Sequence, residues 1–273
     1  PLDIQFLFTA NPEDYTNRGS IVTPLKDRIG SQILTHYPVD IETARLITEQ
    51  EAKLVESQKE MVVVPDLARD LLEQIVFEAR ESDFIDAKSG VSARLSITAL
   101  ENLLSTAERR ALKAGDDKTM VRLSDFVGII PSITGKVELV YEGEQEGAAV
   151  VAYNLIGEAV KSLFEEFFPK IEKLKTQDEE SPYDDIVSWF FNQKEGFELL
   201  DDAREKAYKN LLDAISPLDD LLGKHQPNLA KEDSYFVKEF VLWALVEFKQ
   251  LSKYRFTEGT QFKDPYGSFI SGI

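Results

Sequence analysis

Three side chains of this sequence, Asn11, Arg28 and Arg94, have the types and positions suited to an anionic ligand. Asn11 follows the apolar run Ile4–Phe8, whose length and polar borders predict a buried strand. Ligand sites of α/β sheets lie at the carboxyl ends of such strands. Arg28 follows a short segment that Pro24 opens, a pattern typical of a helix start. Its planar, permanently charged guanidinium suits the charge that spreads over phosphoryl oxygens.

The third side chain, Arg94, lies in the first turn of a predicted helix that runs to Leu112. Ser92 is a suitable N-cap, and apolar residues recur at helical spacing at Ile97, Leu100, Leu104, Ala107 and Ala111. A cation in the first turn opposes the helix dipole at a cost of about 0.3–1 kcal/mol unless an anion lies nearby. The alternatives are an anion-binding arginine and an ordinary surface arginine, solvated or in a salt bridge.

The elements that would position these side chains are mostly helical. A second short strand, 32–37, ends at Pro38, and Asp40 caps a helix over 41–57. Further helices are predicted over 66–80, 121–130, 147–175, 183–193, 196–222 and 234–253. Residues 136–141 have the pattern of a short strand, 142–147 of an acidic turn, 176–182 of a linker, and the tail from Thr257 of a flexible end.

Composition sets further limits on the function. The 273 residues are 43% hydrophobic and 29% charged, as in an ordinary folded protein, and their number suggests about two compact units. The net charge of −18, from 31 basic and 49 acidic residues, disfavours binding to nucleic acid or to anionic membranes. Cysteine is absent, which excludes disulfides and thiolate metal sites and agrees with a cytoplasmic location. No apolar run reaches the roughly 18 residues of a membrane helix.

Metal and hydrolase motifs are not recognisable in the sequence. The two histidines, His36 and His225, have no second ligand at metal spacing, so no metal site is predicted. The acidic cluster Glu142–Glu146 lacks the ordered spacing of a calcium loop and is interpreted as a solvated turn. No serine lies in a nucleophile-elbow pattern.

Four short motifs resemble those of AAA+ ATPases of the MoxR and magnesium-chelatase type. Thr9-Ala-Asn-Pro12 resembles the sensor-1 strand, and Pro24-Leu-Lys-Asp-Arg-Ile29 resembles the element that carries the arginine finger, with Ile29 in place of an aromatic residue. Gly90-Val-Ser-Ala-Arg94 resembles the sensor-2 element, and 121–130 resembles the final helix of the lid. The resemblance covers about residues 3–135.

The resemblance implies a role for each of the three side chains. Asn11 would orient the attacking water, Arg28 would reach the nucleotide of a neighbouring subunit, and Arg94 would bind the phosphates of its own subunit's nucleotide. ATP and Mg²⁺ are then the expected cofactors of the full-length parent, and this chain alone would hold neither tightly. Self-association into a ring and an unidentified client protein are the implied partners.

Two motifs that nucleotide hydrolysis needs are missing. The segment Gly128–Val137 has six residues between its glycines, a proline inside and Val137 in place of a hydroxyl, so it fails as a phosphate-binding loop. Val62-Val-Val-Pro-Asp66 fails as a magnesium-holding strand because Pro65 interrupts it. In the family both motifs precede the sensor-1 strand. We therefore expect a carboxyl-terminal part of a longer ATPase, inactive by itself.

The sequence thus predicts a mainly α fold that retains the end of an α/β AAA+ core, with two short strands, in residues 1–38. A helical lid follows over 39–135, a short strand and long helix over 136–176, and a carboxyl-terminal helical domain with a flexible tail over 177–273. The predicted function of the parent is to couple ATP hydrolysis to remodelling, or metal-insertion-like maturation, of a partner protein. The alternative is a non-enzymatic acidic helical adaptor, in which Arg28 and Arg94 would be ordinary salt-bridge residues.

Overall fold

The structure, a computed structural model, describes residues 3–9, 23–171, 181–193, 196–256 and 258–264. Its described part is mainly helical, as predicted. The first half contains α1 (Thr23–Lys26), α2 (Ile41–Glu51), α3 (Glu56–Met61), β1 (Val62–Val63), α4 (Asp66–Glu81), α5 (Arg94–Ala114), β2 (Thr119–Met120), a 3₁₀ helix (Leu123–Ile129) and α6 (Ile130–Thr134). The second half contains α7 (Tyr141–Glu146), α8 (Ala148–Phe167), α9 (Asp184–Phe191), β3 (Phe197–Leu200), α10 (Glu205–Asp213), α11 (Ser216–His225), α12 (Ser234–Glu247), β4 (Ser252–Phe256) and β5 (Gly259–Lys263).

The starts of three helices agree with the sequence. Asp40 accepts a hydrogen bond from the Thr43 backbone nitrogen at 2.7 Å and so caps α2. α4 begins at Asp66 as predicted, and α5 begins at Arg94 and ends at Gly115, which adopts a left-handed conformation with φ of 72°. α2 is shorter than predicted: it ends at Glu51, and α3 begins as a separate helix at Glu56.

The two strands predicted in residues 1–38 are wrong within the described part of the chain. Ile4–Phe8 and 32–37 form no strand there, and their apolar side chains are exposed, Phe6 to 71% and Ile33 to 84%. A strand needs a neighbouring strand to bind its backbone groups and an apolar surface to cover its side chains. The described residues supply neither to these two segments. The only aromatic contact of the first segment is local, between Phe6 and Phe8 at 6.1 Å.

Several predicted elements of the second half are also wrong. Residues 136–141 form no strand beyond the bridge between Ile85 and Leu139, and the acidic turn is α7, whose early Glu142 and Glu144 suit a helix N-terminus. α8 ends at Phe167, before the predicted end at 175. α9 matches the predicted 183–193 closely.

The predicted helix 196–222 is a strand and two helices, and the last helix is also shorter than predicted. β3 alternates buried and exposed residues, Pro217 lies in the first turn of α11, and α12 ends at Glu247, two residues before Lys249 at φ 60°. The tail forms β5, the centre of an antiparallel sheet in the order β3-β5-β4. The rest of the tail, and most of the predicted linker 176–182, lies outside the described residues.

The core is one continuous cluster of buried apolar side chains from Val62 to Phe262. α4, α6 and α12 pack around α8, and α12 is buried on nearly all sides because its apolar residues leave almost no polar face. Trp243 on α12 is thus a core residue, 1% exposed. A short parallel pair, β1 with β2, joins the link before α4 to the end of α5.

Candidate functional site

The start of α5 presents Arg94 to solvent. The Ser92 hydroxyl accepts a hydrogen bond from the Arg94 backbone nitrogen at 3.2 Å, and the Ser92 carbonyl accepts one from Leu95 at 2.9 Å. Arg94 is the first residue of the helix, and its side chain is exposed and makes no ion pair with any described residue. The sequence therefore placed the cation in the first turn correctly, although the N-cap residue is Ala93 and not the predicted Ser92.

A buried carboxylate holds the start of α5 against two other helices. Glu73 of α4 is 2% exposed and accepts hydrogen bonds from the hydroxyls of Ser96, at 2.8 Å, and Thr48, at 2.6 Å. Burial raises the pKa of Glu73, and the two hydroxyls oppose that rise. Ser96 lies two residues after Arg94, so Glu73 fixes the backbone that carries the arginine.

Arg28 lies just after α1. Its guanidinium donates a hydrogen bond to the Pro24 carbonyl at 2.7 Å, four residues earlier, and its side chain is exposed. It makes no ion pair with any residue that the structure describes. This local bond orients the side chain without neutralising its charge.

Arg80, which the sequence reasoning missed, links the segment after Arg28 to the loop before Arg94. Its guanidinium carbon lies 4.5 Å from the centre of the Tyr37 ring, and its Nε donates to the Val91 carbonyl at 3.2 Å. Burial lowers the pKa of Arg80, and the nearby charge of Glu73 opposes that shift. No pattern around position 80 marks this role, because its two partners lie far away in sequence.

The three residues predicted for the site are not shown as one group. Asn11 lies outside the described residues. Arg28 and Arg94 make no hydrogen bond or ion pair with each other within the described part of the chain. Arg28 and Arg94 are thus two exposed arginines without an ion pair among the described residues, and Arg80 contacts the segments near both of them.

Neither rejected motif has the geometry that phosphate or magnesium binding needs. Gly128 lies in the 3₁₀ helix, where an added Cβ would lie 2.1 Å from the Thr106 hydroxyl, so no open loop exists there. Asp66 opens α4, and its carboxylate accepts a hydrogen bond from Arg45 at 2.8 Å. Residues 128–137 contain the end of the 3₁₀ helix, all of α6 and a turn, so the interpretation as a helix end and a turn missed α6.

The strongest electrostatic feature of the structure is a buried network that the sequence did not reveal. Arg110 of α5 donates to both carboxylate oxygens of Asp125, at 3.0 and 2.8 Å, and to the Thr119 hydroxyl at 2.8 Å. Burial would lower the pKa of Arg110, but the Asp125 charge and hydrogen bonds raise it overall. Glu205 of α10 extends the network with a 3.2 Å contact to Arg122.

A second buried carboxylate continues this network into α12. Glu239 is fully buried and accepts hydrogen bonds from the backbone nitrogens of Leu123, at 2.9 Å, and Ser124, at 3.1 Å, and from the Tyr208 hydroxyl at 2.7 Å. The Arg122 guanidinium lies 4.1 Å from the centre of the Tyr208 ring. Nε and Nη1 of Arg122 are buried without a hydrogen-bond partner, and the guanidinium instead stacks on the Tyr208 ring. Because the carboxylates of Asp125 and Glu239 are held by internal donors, we interpret the network as structural.

A cleft of about 490 Å³ between α5 and β4 has no net charge to attract an ionic ligand. Its lining holds four basic residues (Arg109, Arg110, Lys113 and Arg255) and four acidic ones (Asp125, Asp201, Asp202 and Glu258). Arg255 is already bound to Asp201, at 2.9 Å between Nη1 and Oδ1.

Within the described ranges, no group of three or more histidine, cysteine, aspartate or glutamate residues is placed to hold a metal ion. His36 Nδ1 lies 2.7 Å from the Tyr37 carbonyl, and His225 lies edge-on to Phe168. Among the helices that the structure describes, none combines the length and the apolar character that crossing a membrane requires.

Comparison with known proteins gives no assignment. The chain matches no protein-family model, no curated protein and no solved structure.

Proposed function

We propose that this chain is the sensor, lid and carboxyl-terminal helical part of a ring-forming AAA+ ATPase of the MoxR and magnesium-chelatase type. The parent protein couples ATP hydrolysis to remodelling, or metal-insertion-like maturation, of a client protein in the cytoplasm. Asn11 orients the hydrolytic water, Arg28 acts across the ring interface, and Arg94 binds phosphate within its own subunit. A transition-state arginine of this kind accelerates phosphoryl transfer by roughly 10³–10⁵.

The observation that carries this proposal is the state of the two arginines. The chain has 49 acidic residues, and five arginines are ion-paired: Arg45, Arg69, Arg110, Arg122 and Arg255. Arg28 and Arg94, the two that the motifs single out, are exposed and pair with no described carboxylate, a state that they share with Arg109 and Arg204, which lie in no such motif. An unpaired guanidinium is available to an incoming anion, whereas the adaptor alternative requires both to be salt-bridge residues.

The position of Arg94 also supports a phosphate ligand. The first turn of a helix has unsatisfied backbone N–H groups and a partial positive charge, which attract anions. A cation there is unfavourable by itself, and a bound phosphate removes that conflict by interacting with both the guanidinium and the helix. The Glu73 hydrogen bonds to Ser96 and Thr48 keep this turn in place.

The exposed apolar segments support the presence of a larger sheet. Residues 3–9 and 31–39 expose Ile4, Phe6, Leu7, Phe8, Ile33, Leu34 and Val39. Apolar side chains at this density are covered in folded proteins by a neighbouring element. We propose that further strands of an α/β nucleotide-binding core cover them.

Arg28 and Arg94 are suited to bind the phosphates of a nucleotide, but they are not ligands for its metal ion. ATP supplies the phosphoryl group that is transferred to water, and Arg94 and Arg28 are the residues of this chain that would hold its phosphates. Magnesium needs oxygen ligands, and the described residues offer no grouped set. The proposal therefore assigns the metal ligands to the parent's phosphate-binding core.

The coding sequence upstream of residue 1 tests the proposal. A G-x-x-x-x-G-K-[ST] motif after a predicted strand supports it, and an upstream frame without that motif overturns it. Purified residues 1–273 should show no turnover of Mg²⁺-ATP in a coupled phosphate-release assay. Turnover by this chain alone would mean that it holds a phosphate site of its own, contrary to the proposal.

A further inference from the structure

A groove between α2 and the end of α8 combines an apolar base with an acidic rim. Its volume is about 480 Å³, and its lining comes from three helices: α2, α4 and α8. We call this feature the α2–α8 groove and define it by Ile41, Glu42, Arg45, Leu46, Glu49, Asp70, Leu163, Glu166 and Phe167. None of these residues takes part in the proposed nucleotide site.

The apolar part of the groove is open to solvent. Leu46 is 62% exposed, although it lies on a helix whose opposite side packs into the core through Ala44 and Thr48. Phe167, at the last turn of α8, is half-buried on the other side of the groove. An exposed leucine between two helices is a surface that a further apolar side chain would cover.

The rim of the groove carries an excess of negative charge. Four of its lining residues are acidic (Glu42, Glu49, Asp70 and Glu166), and Arg45 alone is basic. Arg45 is already occupied, because it donates to Asp66 and Asp70 at 2.8 Å each.

Two of the rim carboxylates have no cation of their own. Glu49 accepts a hydrogen bond from Arg69 at 2.7 Å, whereas Glu42 and Glu166 pair with no residue in the part of the chain that the structure describes. Both are exposed, and they lie on opposite walls, one on α2 and one on α8. A ligand that enters the groove therefore meets an unneutralised carboxylate on each side.

We propose that the α2–α8 groove binds an amphipathic helix of a partner protein whose apolar stripe is flanked by lysine or arginine. Leucine-like side chains at i, i+3 or i+4, and i+7 would cover Leu46 and Phe167, as in other helix-in-groove complexes. The flanking cations would pair with Glu42 and Glu166. α2 has 11 residues, so it matches about three turns of a docked helix.

The charge of the chain selects against the other occupants. With a net charge of −18, the protein repels acidic peptides and nucleic acid, and a second copy would bring its own acidic surface to the rim. The inference is independent of nucleotide chemistry, because it uses no residue of the proposed phosphate site.

Binding of a designed peptide to residues 1–273 tests this inference. The probe is a fluorescently labelled peptide of about 18 residues, with leucines on one helical face and lysines on the other, long enough to be partly helical. Two controls keep its length: a scrambled peptide of the same composition without the stripe, and a peptide with glutamate in place of lysine. Fluorescence anisotropy should show saturable binding of the probe alone.

Paired charge reversals locate the site. The double variant Glu42→Lys with Glu166→Lys should weaken binding of the probe at least about tenfold. The two new lysines would repel the lysines of the peptide. The matched control is Glu144→Lys with Glu146→Lys, the same change of net charge at exposed residues before α8. α8 has 20 residues, so the control lies about 30 Å from its last turn and should change the affinity less than about twofold.

A polar replacement in the groove separates docking from general attraction of cations. Leu46→Ser removes the exposed apolar side chain and leaves every charge in place, so it should weaken the probe about fivefold or more. Equal binding of the scrambled peptide, equal losses in the groove and control reversals, or binding of the glutamate peptide would each overturn the proposal. So would concentration-dependent self-association that Leu46→Ser abolishes, because the occupant would then be a second copy.

Discussion

The guanidinium of Arg110 forms a two-bond ion pair with the carboxylate of Asp125, in which Nε donates to Oδ1 at 3.0 Å and Nη2 to Oδ2 at 2.8 Å. Both side chains are almost completely buried. The same carboxylate accepts a hydrogen bond from the Arg122 backbone nitrogen at 2.8 Å, which fixes the turn into the 3₁₀ helix. This pair therefore joins the end of α5 to the part of the chain that contacts α10 and α12.

Arg110→Ala should destabilise the protein by about 3–5 kcal/mol, because it leaves the Asp125 carboxylate buried without its cation. Urea unfolding, followed by far-UV circular dichroism, measures the loss. The matched control is Arg45→Ala, which removes an arginine from the half-exposed pairs with Asp66 and Asp70. That change should cost no more than about 1 kcal/mol, and an equal loss in the two variants would contradict the account of the buried pair.

Glu73→Gln should remove the charge of the buried carboxylate while keeping a hydrogen-bonding group between Thr48 and Ser96. Burial raises the pKa of Glu73 in the folded state, so the folded protein binds this proton more tightly than the unfolded chain. Its contribution to stability is fully present below the unfolded value and is lost as the pH rises through the folded pKa. Wild type should therefore lose stability relative to Glu73→Gln between about pH 4 and pH 7.

Urea midpoints of the two proteins at pH 4 and pH 7 measure this difference. Glu144→Gln, at an exposed residue without an ion pair, is the control and should show no such pH dependence. A wild-type advantage that grows toward pH 7 would mean that the hydroxyls of Thr48 and Ser96 outweigh burial.

Lys253→Met should stabilise the protein near pH 7. The lysine side chain is 7% exposed, its ammonium lies 3.5 Å from the centre of the Trp243 ring, and the nearest carboxylate oxygen, on Glu247, is 3.7 Å away. Burial lowers its pKa to about 8, although Glu247 opposes that shift. The folded protein therefore binds the Lys253 proton less tightly than the unfolded chain does. Below pH 8 this difference lowers the free energy of unfolding by up to about 3 kcal/mol.

The advantage of Lys253→Met should shrink as the pH rises from 8 toward 10.5, because the unfolded lysine then loses its proton as well. We expect a gain of about 1–3 kcal/mol at pH 7, reduced by the lost contact between the ammonium and the ring. Lys136→Met, at an exposed lysine, controls for the change in net charge. A less stable Lys253→Met variant at pH 7 would show that the ring and Glu247 stabilise the ammonium more than burial disfavours it.

Local signals predicted the starts of α2, α4 and α5 well. The Asp40 cap of α2 and the start of α5 after Ser92 follow from side chains that bond to backbone groups within a few residues. α4 begins after Pro65, without a side-chain cap. The same short range explains why a cation at the first turn, Arg94, could be placed from the sequence.

The second half was harder because its signals conflict. Residues 197–200 alternate buried and exposed positions, but the run is only four residues long and lies among helix-forming residues. The tail from Thr257 contains glycine and polar residues, yet Thr260 and Phe262 are buried in the central strand of a sheet. Pairing with strands that are distant in sequence determines the structure of these segments, and no local sequence pattern indicates that pairing.

Buried charges were missed for a related reason. The sequence alone predicts surface positions for Arg110, Asp125 and Glu239, because charged side chains are seldom fully buried. Their burial depends on partners that are distant in sequence, such as the Leu123 backbone and Glu239, which are separated by 116 positions. The exposed strand-like segments show the opposite case, because Ile4–Phe8 has the pattern of a strand but no pairing partner in the described structure.

ATP turnover by the complete parent ring that carries Arg28→Ala tests the central claim most directly. Arg28 makes no ion pair with any described residue, and its side-chain bond to the Pro24 carbonyl lies within its own segment, so the substitution should leave the protein folded. We predict that turnover falls by roughly 10³-fold or more while binding of a fluorescent ATP analogue changes little. Turnover close to that of wild type, with Arg28→Ala present in every subunit, would contradict the account.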